Sequence, residues 1–93
     1  MINLYKNLPT IDLHGFDRDY ARIKINEFIF DNHKLKNDYI IIIHGVGTGI
    51  LRKETHKTLK KNKYVEEYKI DNFNAGQTIV KLSNIIDKKK WLC

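Results

Sequence analysis

The sequence has little cysteine, little proline and no long apolar run. Its single cysteine, Cys93, is the last of 93 residues, which excludes an intramolecular disulfide and a cysteine-rich metal site. No apolar run approaches the roughly 20 residues that span a bilayer, and residues 1–6 lack the apolar stretch of a signal peptide. With 42% hydrophobic residues, the chain has the composition of a folded protein. We therefore expect one cytoplasmic domain over residues 1–93.

Acidic residues are in the minority. Lysine and arginine together number 17 against 11 aspartates and glutamates, which gives a net charge of +6. Such an excess favours polyanionic partners such as nucleic acid, although charge alone is a weak indication.

The first predicted strand ends in two polar side chains. Residues 10–14 alternate apolar and polar side chains, so that Asp12 and His14 face the same way. Gly15 ends this strand, and Asp17 is a suitable N-cap for a helix that runs to about His33. The apolar stripe of this helix consists of Ala21, Ile25, Phe28 and Ile29.

The rest of the chain predicts a second strand, a second helix and a hairpin. Residues 39–44 form an apolar run that is typical of a strand buried on both faces. Thr48 can cap a helix that ends near Asn62. Two further strands are predicted over residues 64–70 and 77–83, antiparallel across a turn at 72–76. The predicted fold is α/β: a two-layer βαβαββ arrangement of two helices on a four-stranded mixed sheet, with a core over residues 10–83 and a basic tail over residues 84–93.

Both parallel strands finish in His-Gly, at His14-Gly15 and His44-Gly45. Ligands of open α/β sheets gather beyond the carboxyl ends of such strands, so the two histidines can share one site. A divalent metal held by Asp12, His14 and His44 is an alternative that the sequence leaves open. His33 and His56 lie at helix positions that predict solvent exposure.

A glycine-rich turn and a basic helix follow the second strand. Residues 45–49, which we call the glycine turn, precede a helix N-terminus whose free N–H groups attract phosphate. The turn matches neither a P-loop nor a dinucleotide fingerprint. The next helix carries many cations and can either track phosphates or form a solvated face. The predicted phosphate-binding residues are His44, Gly45, Gly47, Thr48, Gly49, Lys53, Lys57 and Lys60.

Three segments give a specific resemblance. They are Ile11-Asp12-Leu13-His14-Gly15, His44-Gly45-Val46-Gly47-Thr48-Gly49 and Gly76-Gln77-Thr78-Ile79-Val80-Lys81-Leu82. Together they resemble the signature segments of the small MutS-related (Smr) domain over about residues 10–83. Ile11 stands where leucine is usual in that family, and Tyr20 where an acidic residue is common. The family's domain normally ends a longer protein, so this chain either stands alone or is part of one.

The resemblance implies a fold like the C-terminal domain of a bacterial translation initiation factor. It also implies endonuclease or nucleic-acid-binding activity, on DNA in some members and messenger RNA in others. By position, it assigns the catalytic roles to Asp12, His14 and Arg52. Alternatives are a non-catalytic module that binds DNA, RNA or ribosomes, and a protein-interaction domain that uses Ile23 and Phe30. The resemblance implies no cofactor, and a divalent metal stays an open alternative.

Overall fold

The computed structural model describes residues 7–83. The predicted basic tail, including Lys88, Lys89, Lys90 and Trp91, lies outside the described residues. The order of elements is βαβαββ, as predicted. The elements are β1 (Thr10–Asp12), α1 (Arg18–Lys34), β2 (Tyr39–Ile43), α2 (Ile50–Lys61), β3 (Val65–Asp71) and β4 (Asn74–Leu82).

The four strands form one mixed sheet in the order β1-β2-β4-β3. β1 pairs with β2 in parallel, with Asp12 opposite Ile43. β4 pairs antiparallel with both β2 and β3. The predicted mixed four-stranded sheet is confirmed, and β2 is an interior strand. The carboxyl ends of β1 and β2 therefore lie side by side at one edge of the sheet.

Both helices share a single core with one face of the sheet. Ile25 and Ile29 from α1 and Leu59 from α2 are almost completely buried, and they join apolar side chains of β2 and β4. Thr55, one helical turn before Leu59, is also buried. The predicted apolar stripe of α1 and the side of α2 that carries Thr55 and Leu59 therefore face the core. None of the helices within residues 7–83 is long and apolar enough to cross a membrane.

The two helices begin with different kinds of N-cap. Asp17 caps α1 as predicted, because its carboxylate accepts a hydrogen bond from the Tyr20 N–H at 2.8 Å. The N-cap of α2 is Gly49 rather than the predicted Thr48. Gly49 has a φ of +83°, a conformation that glycine adopts at little cost. The Thr48 hydroxyl still accepts a hydrogen bond, from the Ile50 N–H at 3.3 Å.

Two strand boundaries also depart from the predictions. β1 stops at Asp12, two residues before the predicted end, because the Asp12 side chain accepts a hydrogen bond from the backbone and turns the chain. β4 begins at Asn74 rather than at residue 77, because the chain pairs again directly after a short turn. Ile23 and Phe30, which lie off the apolar stripe of α1, are 51% and 45% exposed.

Candidate nucleic-acid interface

The predicted polar residues collect at the sheet edge where β1 and β2 end. Asp12 is the last residue of β1, and His14 follows it on the exposed side of the chain. Between them, Leu13 is fully buried, and its N–H donates to the Ile43 carbonyl at 2.9 Å. This anchor fixes the loop after β1 beside the start of the glycine turn. The parallel pairing of β1 with β2 places both His-Gly segments at this edge.

Asp12 and His14 are linked through the backbone rather than through the imidazole. The His14 N–H donates to Asp12 Oδ1 at 2.9 Å, which is an Asx turn. The Asp12 carboxylate therefore orients the chain that carries the His14 imidazole, and the ring itself is exposed to solvent. An exposed imidazole at a sheet edge is free to meet a substrate.

The glycine turn delivers Arg52 to the same edge. A Cβ built on Gly49 would lie 3.0 Å from Nη2 of Arg52, so the guanidinium packs directly against this glycine. Residues 45–48 of the turn are exposed. The Lys53 N–H is the first in the helix to find an acceptor within it, the Gly49 carbonyl at 2.9 Å. The N–H groups of Leu51 and Arg52 precede it and lack an acceptor within the helix, so the edge combines a cation with backbone donors.

The predicted lysines follow the outer surface of α2. Lys53, Lys57 and Lys60 are exposed, whereas Arg52 is half-buried against the turn. Lys57 also lines a cavity of about 520 Å³ between the two helices, together with Arg22 and the buried Glu54. Arg22 lies 3.8 Å from the Glu54 carboxylate. The cationic surface therefore runs from the glycine turn along the solvent side of α2.

A buried hydrogen-bonded chain lies beneath this edge. Nε2 of His44 and Nε2 of His56 lie 2.8 and 2.9 Å from the same atom, Oγ1 of Thr78. Nδ1 of His44 lies 2.9 Å from the Gly45 carbonyl. His44 is only 7% exposed and both of its ring nitrogens are engaged. The structure thus gives the His44 imidazole a supporting position under the glycine turn, in place of the predicted direct contact with phosphate.

The donors and acceptors among these groups fix the direction of each hydrogen bond in the series. The Gly45 carbonyl can only accept, so Nδ1 of His44 carries the hydrogen and Nε2 of the neutral ring accepts from the Thr78 hydroxyl. The Thr78 oxygen then accepts from Nε2 of His56. Burial lowers the pKa of His44, and the positive charge of Arg52 acts in the same direction. Burial also lowers the pKa of His56, with the charges of His44 and Arg52 adding to the effect. The lowered pKa of His44 favours the neutral ring that accepts from Thr78, whereas His56 donates through Nε2 in either protonation state.

β4 holds the glycine turn from the other side. The Gly76 carbonyl accepts hydrogen bonds from the N–H groups of His44 and Gly45, at 2.9 and 2.8 Å. A Cβ on Gly76 would lie 3.2 Å from Oδ1 of Asn74 and 3.5 Å from Cα of Gly45. The close approach favours glycine at position 76. The third signature segment thus supports the second one through its backbone.

Two histidines are placed differently from their predicted positions. His56 is half-buried rather than solvated, and its ring lies 5.1 Å from that of Tyr68. His33 is also half-buried: Nδ1 lies 3.1 Å from the Ser83 carbonyl and the ring stacks on Tyr64 at 4.1 Å. His56 is a residue beneath the candidate site that the sequence reasoning missed. The sequence did contain one indication of its position, because His56 follows Arg52 by one helical turn and therefore lies on the same side of α2.

The metal alternative is not supported by the positions of its residues. Within residues 7–83, no group of three or more His, Cys, Asp or Glu side chains is arranged to hold a metal ion. His44 uses both ring nitrogens within the protein, and Asp12 accepts from the backbone. Asp12, His14 and His44 therefore do not form the three-ligand site that the sequence left open.

Comparison with known families and proteins gives a consistent match. The Smr domain model matches residues 11–83. The chain is 35% identical over 77 residues to the endonuclease MutS2 of Clostridium acetobutylicum, covering 83% of this chain and 10% of that protein. It is 34% identical over 77 residues to the endonuclease MutS2 of Caldanaerobacter subterraneus, covering 80% of this chain and 10% of that protein. The chain thus spans about a tenth of the length of these relatives.

Solved structures share the fold. The crystal structure of the Smr domain of Thermus thermophilus MutS2 superposes with a TM-score of 0.79 at 25% identity, covering 82% of this chain and 99% of that one. YdaL, a stand-alone small MutS-related protein from Escherichia coli, superposes with a TM-score of 0.75 at 21% identity. The match with YdaL covers 78% of this chain and 63% of that one and shows the fold alone.

Proposed function

The chain belongs to the Smr domain family, and from that premise we propose that it is an endonuclease that cleaves phosphodiester bonds of DNA or RNA with weak sequence specificity. The observation that carries the proposal is one edge of the sheet. There an exposed imidazole, the Arg52 guanidinium and the N-terminus of α2 stand around an exposed glycine turn. These are the groups that hold a phosphate and transfer a proton next to it.

In the proposed mechanism, a phosphate lies on the glycine turn. Backbone N–H groups at the start of α2 and the Arg52 guanidinium contact its non-bridging oxygens and stabilise the charge that develops there. Lys53, Lys57 and Lys60 contact neighbouring phosphates, and none of these contacts reads sequence. The family match and the net charge of +6 support this assignment of the partner.

His14 is proposed as the general base. With RNA, its imidazole takes the proton of the 2′-hydroxyl and the 2′-oxygen attacks phosphorus. The bond from phosphorus to the 5′-oxygen breaks, the 5′-oxygen takes a proton from water, and the His14 imidazolium returns its proton to the solvent. The products are a 2′,3′-cyclic phosphate and a 5′-hydroxyl. DNA has no such hydroxyl, so water must attack instead and a phosphomonoester results. Asp12 is a positioning residue in this scheme, because it holds the backbone of His14.

The second candidate is a non-catalytic module that binds DNA, RNA or ribosomes. One observation favours it: the Asp12 carboxylate contacts the His14 backbone, so no acidic partner for the His14 ring is seen among the described contacts. Such a module would bind with the same salt dependence but would leave every strand intact.

The deciding experiment incubates the purified chain with end-labelled DNA and RNA, with and without a chelator. Product termini distinguish transesterification from hydrolysis, and the chelator tests dependence on a divalent metal. Cleavage by the wild type that is lost in His14→Ala supports the proposal. Binding without scission at any protein concentration would establish the binding module instead. We expect the activity to reside in the cytoplasm.

A further inference from the structure

The turn between β3 and β4 presents an aromatic side chain that the mechanism above does not use. Phe73 is 95% exposed, the largest exposure among the large apolar residues of the described chain. Short hairpin turns usually carry glycine, asparagine or aspartate. A phenylalanine contributes nothing to the core from such a position, so its place in the turn points to a ligand outside the chain.

Two further apolar side chains are exposed, one in the glycine turn and one at the first residue of α2. Val46 is 61% exposed and Ile50 is 54% exposed. Singly exposed apolar residues are ordinary. Here, however, they accompany Arg52 and the backbone donors of α2, and the Phe73 turn adjoins the same edge. Apolar and aromatic groups next to cations are typical of surfaces that bind single-stranded nucleic acid.

The Phe73 turn is held rigidly. The Phe73 N–H donates to Oδ1 of Asp71 at 2.9 Å, and the amide of Gln77 donates to Oδ2 of the same carboxylate at 2.8 Å. Asp71 is only 8% exposed. The Gly76 N–H donates to Oδ1 of Asn74 at 2.9 Å, while the Gly76 carbonyl binds the start of the glycine turn. The backbone that carries the aromatic ring is therefore preorganised, which reduces the entropy lost on binding.

The distance between Phe73 and the glycine turn suits a base close to the bound phosphate on the same strand. β2 carries the glycine turn, β4 lies next to it and β3 lies next to β4. Adjacent strands are about 4.8 Å apart and a strand rises about 3.4 Å per residue. The Gly76 carbonyl contacts the Gly45 N–H, so Phe73, three residues before Gly76, lies roughly 10 Å further along β4. A strand whose phosphate occupies the glycine turn can place the base of a nearby nucleotide against Phe73.

We propose that Phe73 is a stacking platform for an unpaired base, so that this site prefers single-stranded segments to continuous duplex. The proposal rests on the proposed function, because the stacked base belongs to the strand held at the glycine turn. In a duplex the base faces its partner and stacks on its neighbours, so it is not free to meet the ring. The favoured ligand is thus a single strand or an unpaired segment of DNA or RNA.

The test measures the affinity of the whole chain for a single-stranded oligonucleotide, for a matched duplex and for the same single strand with abasic sites at successive positions. Phe73→Ala is expected to weaken single-strand binding roughly 5- to 150-fold, since base stacking on an aromatic ring contributes about 1–3 kcal/mol. It should leave duplex binding unchanged. Phe73→Tyr keeps the ring and should retain affinity, and Phe30→Ala is the matched exposed aromatic control on α1.

Abasic substitution at the stacked position should remove the effect of Phe73→Ala, because both changes delete the same contact. If Phe73→Ala binds the single strand like the wild type, the platform is disproved while the proposed function stands. If Phe73→Ala weakens duplex and single strand equally, the base preference is likewise disproved. If the wild type binds neither DNA nor RNA, the proposed function fails and the platform fails with it. Circular dichroism of each variant identifies any loss of folding.

Discussion

Thr78 Oγ1 lies 2.8 Å from Nε2 of His44, and this buried contact ties β4 to the residue that begins the glycine-rich segment. The same oxygen accepts a hydrogen bond from Nε2 of His56, which lies on α2, at 2.9 Å. A single threonine thus joins the sheet, the helix and the turn. Because the contact is buried, we expect it to determine both stability and the shape of the phosphate site.

Replacing Thr78 with valine keeps the shape of the side chain and removes the hydroxyl. The buried Nε2 of His44 then loses its donor, so we expect a loss of about 1–3 kcal/mol in the free energy of unfolding. Urea denaturation measures it. Thr55→Val is the matched control, since Thr55 is equally buried and its hydroxyl has no hydrogen-bond partner within residues 7–83. Equal losses in both variants would show that the chain of histidines does not stabilise the fold.

Stability should decrease as the solution becomes acidic. Burial lowers the pKa values of His44 and His56 below the ordinary 6.5. The unfolded chain therefore takes up protons near pH 6.5 while the folded chain resists them. The contribution is complete above this range and is lost progressively as the pH falls below about 6.5 towards the lower folded values. Urea denaturation between pH 8 and 5 should show this slope, and His56→Gln should reduce it. Identical slopes in both proteins would contradict this assignment.

Gly49 should tolerate alanine poorly. Its φ of +83° is costly for a residue with a side chain, and the added Cβ would press on the Arg52 guanidinium at 3.0 Å. We expect Gly49→Ala to lose about 1–2 kcal/mol of stability and to bind nucleic acid more weakly, because Arg52 must move. Thermal melts and a binding titration measure the two effects.

Gly47→Ala is the control for Gly49→Ala. A Cβ on Gly47 meets nothing within 4 Å, and its φ lies outside the left-handed range. The stability of the Gly47→Ala protein should therefore remain near that of the wild type. A Gly47→Ala protein as unstable as Gly49→Ala would show that flexibility of the whole turn, rather than the conformation of Gly49, is required.

Arg52 should contribute one phosphate contact. For Arg52→Ala, the slope of the logarithm of the binding constant against the logarithm of salt concentration should decrease by about 0.7 with a single strand or about 0.9 with duplex DNA. Lys24→Ala is the control, because Lys24 lies on α1 and pairs with Glu27 at 3.3 Å. An unchanged slope for Arg52→Ala would remove Arg52 from the phosphate site.

The order of elements and the site edge were predictable from the sequence because they depend on local pattern. Residues close in sequence determine three of these features. They are the Asp17 cap, the apolar run of β2 and the His-Gly ends of the two parallel strands. Their side-by-side placement follows from the topology of a parallel pair. These features require no knowledge of distant contacts.

Other features depend on contacts between distant parts of the chain. His56 and Thr78 are 22 residues apart, so nothing local indicates that they meet, and His56 was wrongly predicted to be solvated. His33 meets Ser83 across 50 residues and was misjudged for the same reason. The end of β1 was misplaced because the Asp12 carboxylate accepts a hydrogen bond from the His14 N–H and turns the chain.

The most direct test of the central claim compares cleavage and binding in His14→Ala. The exposed His14 imidazole is the proposed general base, and such groups contribute about 10²- to 10⁴-fold to rates. Single-turnover cleavage of labelled RNA and DNA should slow by at least about 10²-fold, while the dissociation constant stays within a few-fold of the wild type. Cleavage at the wild-type rate by His14→Ala would contradict the account.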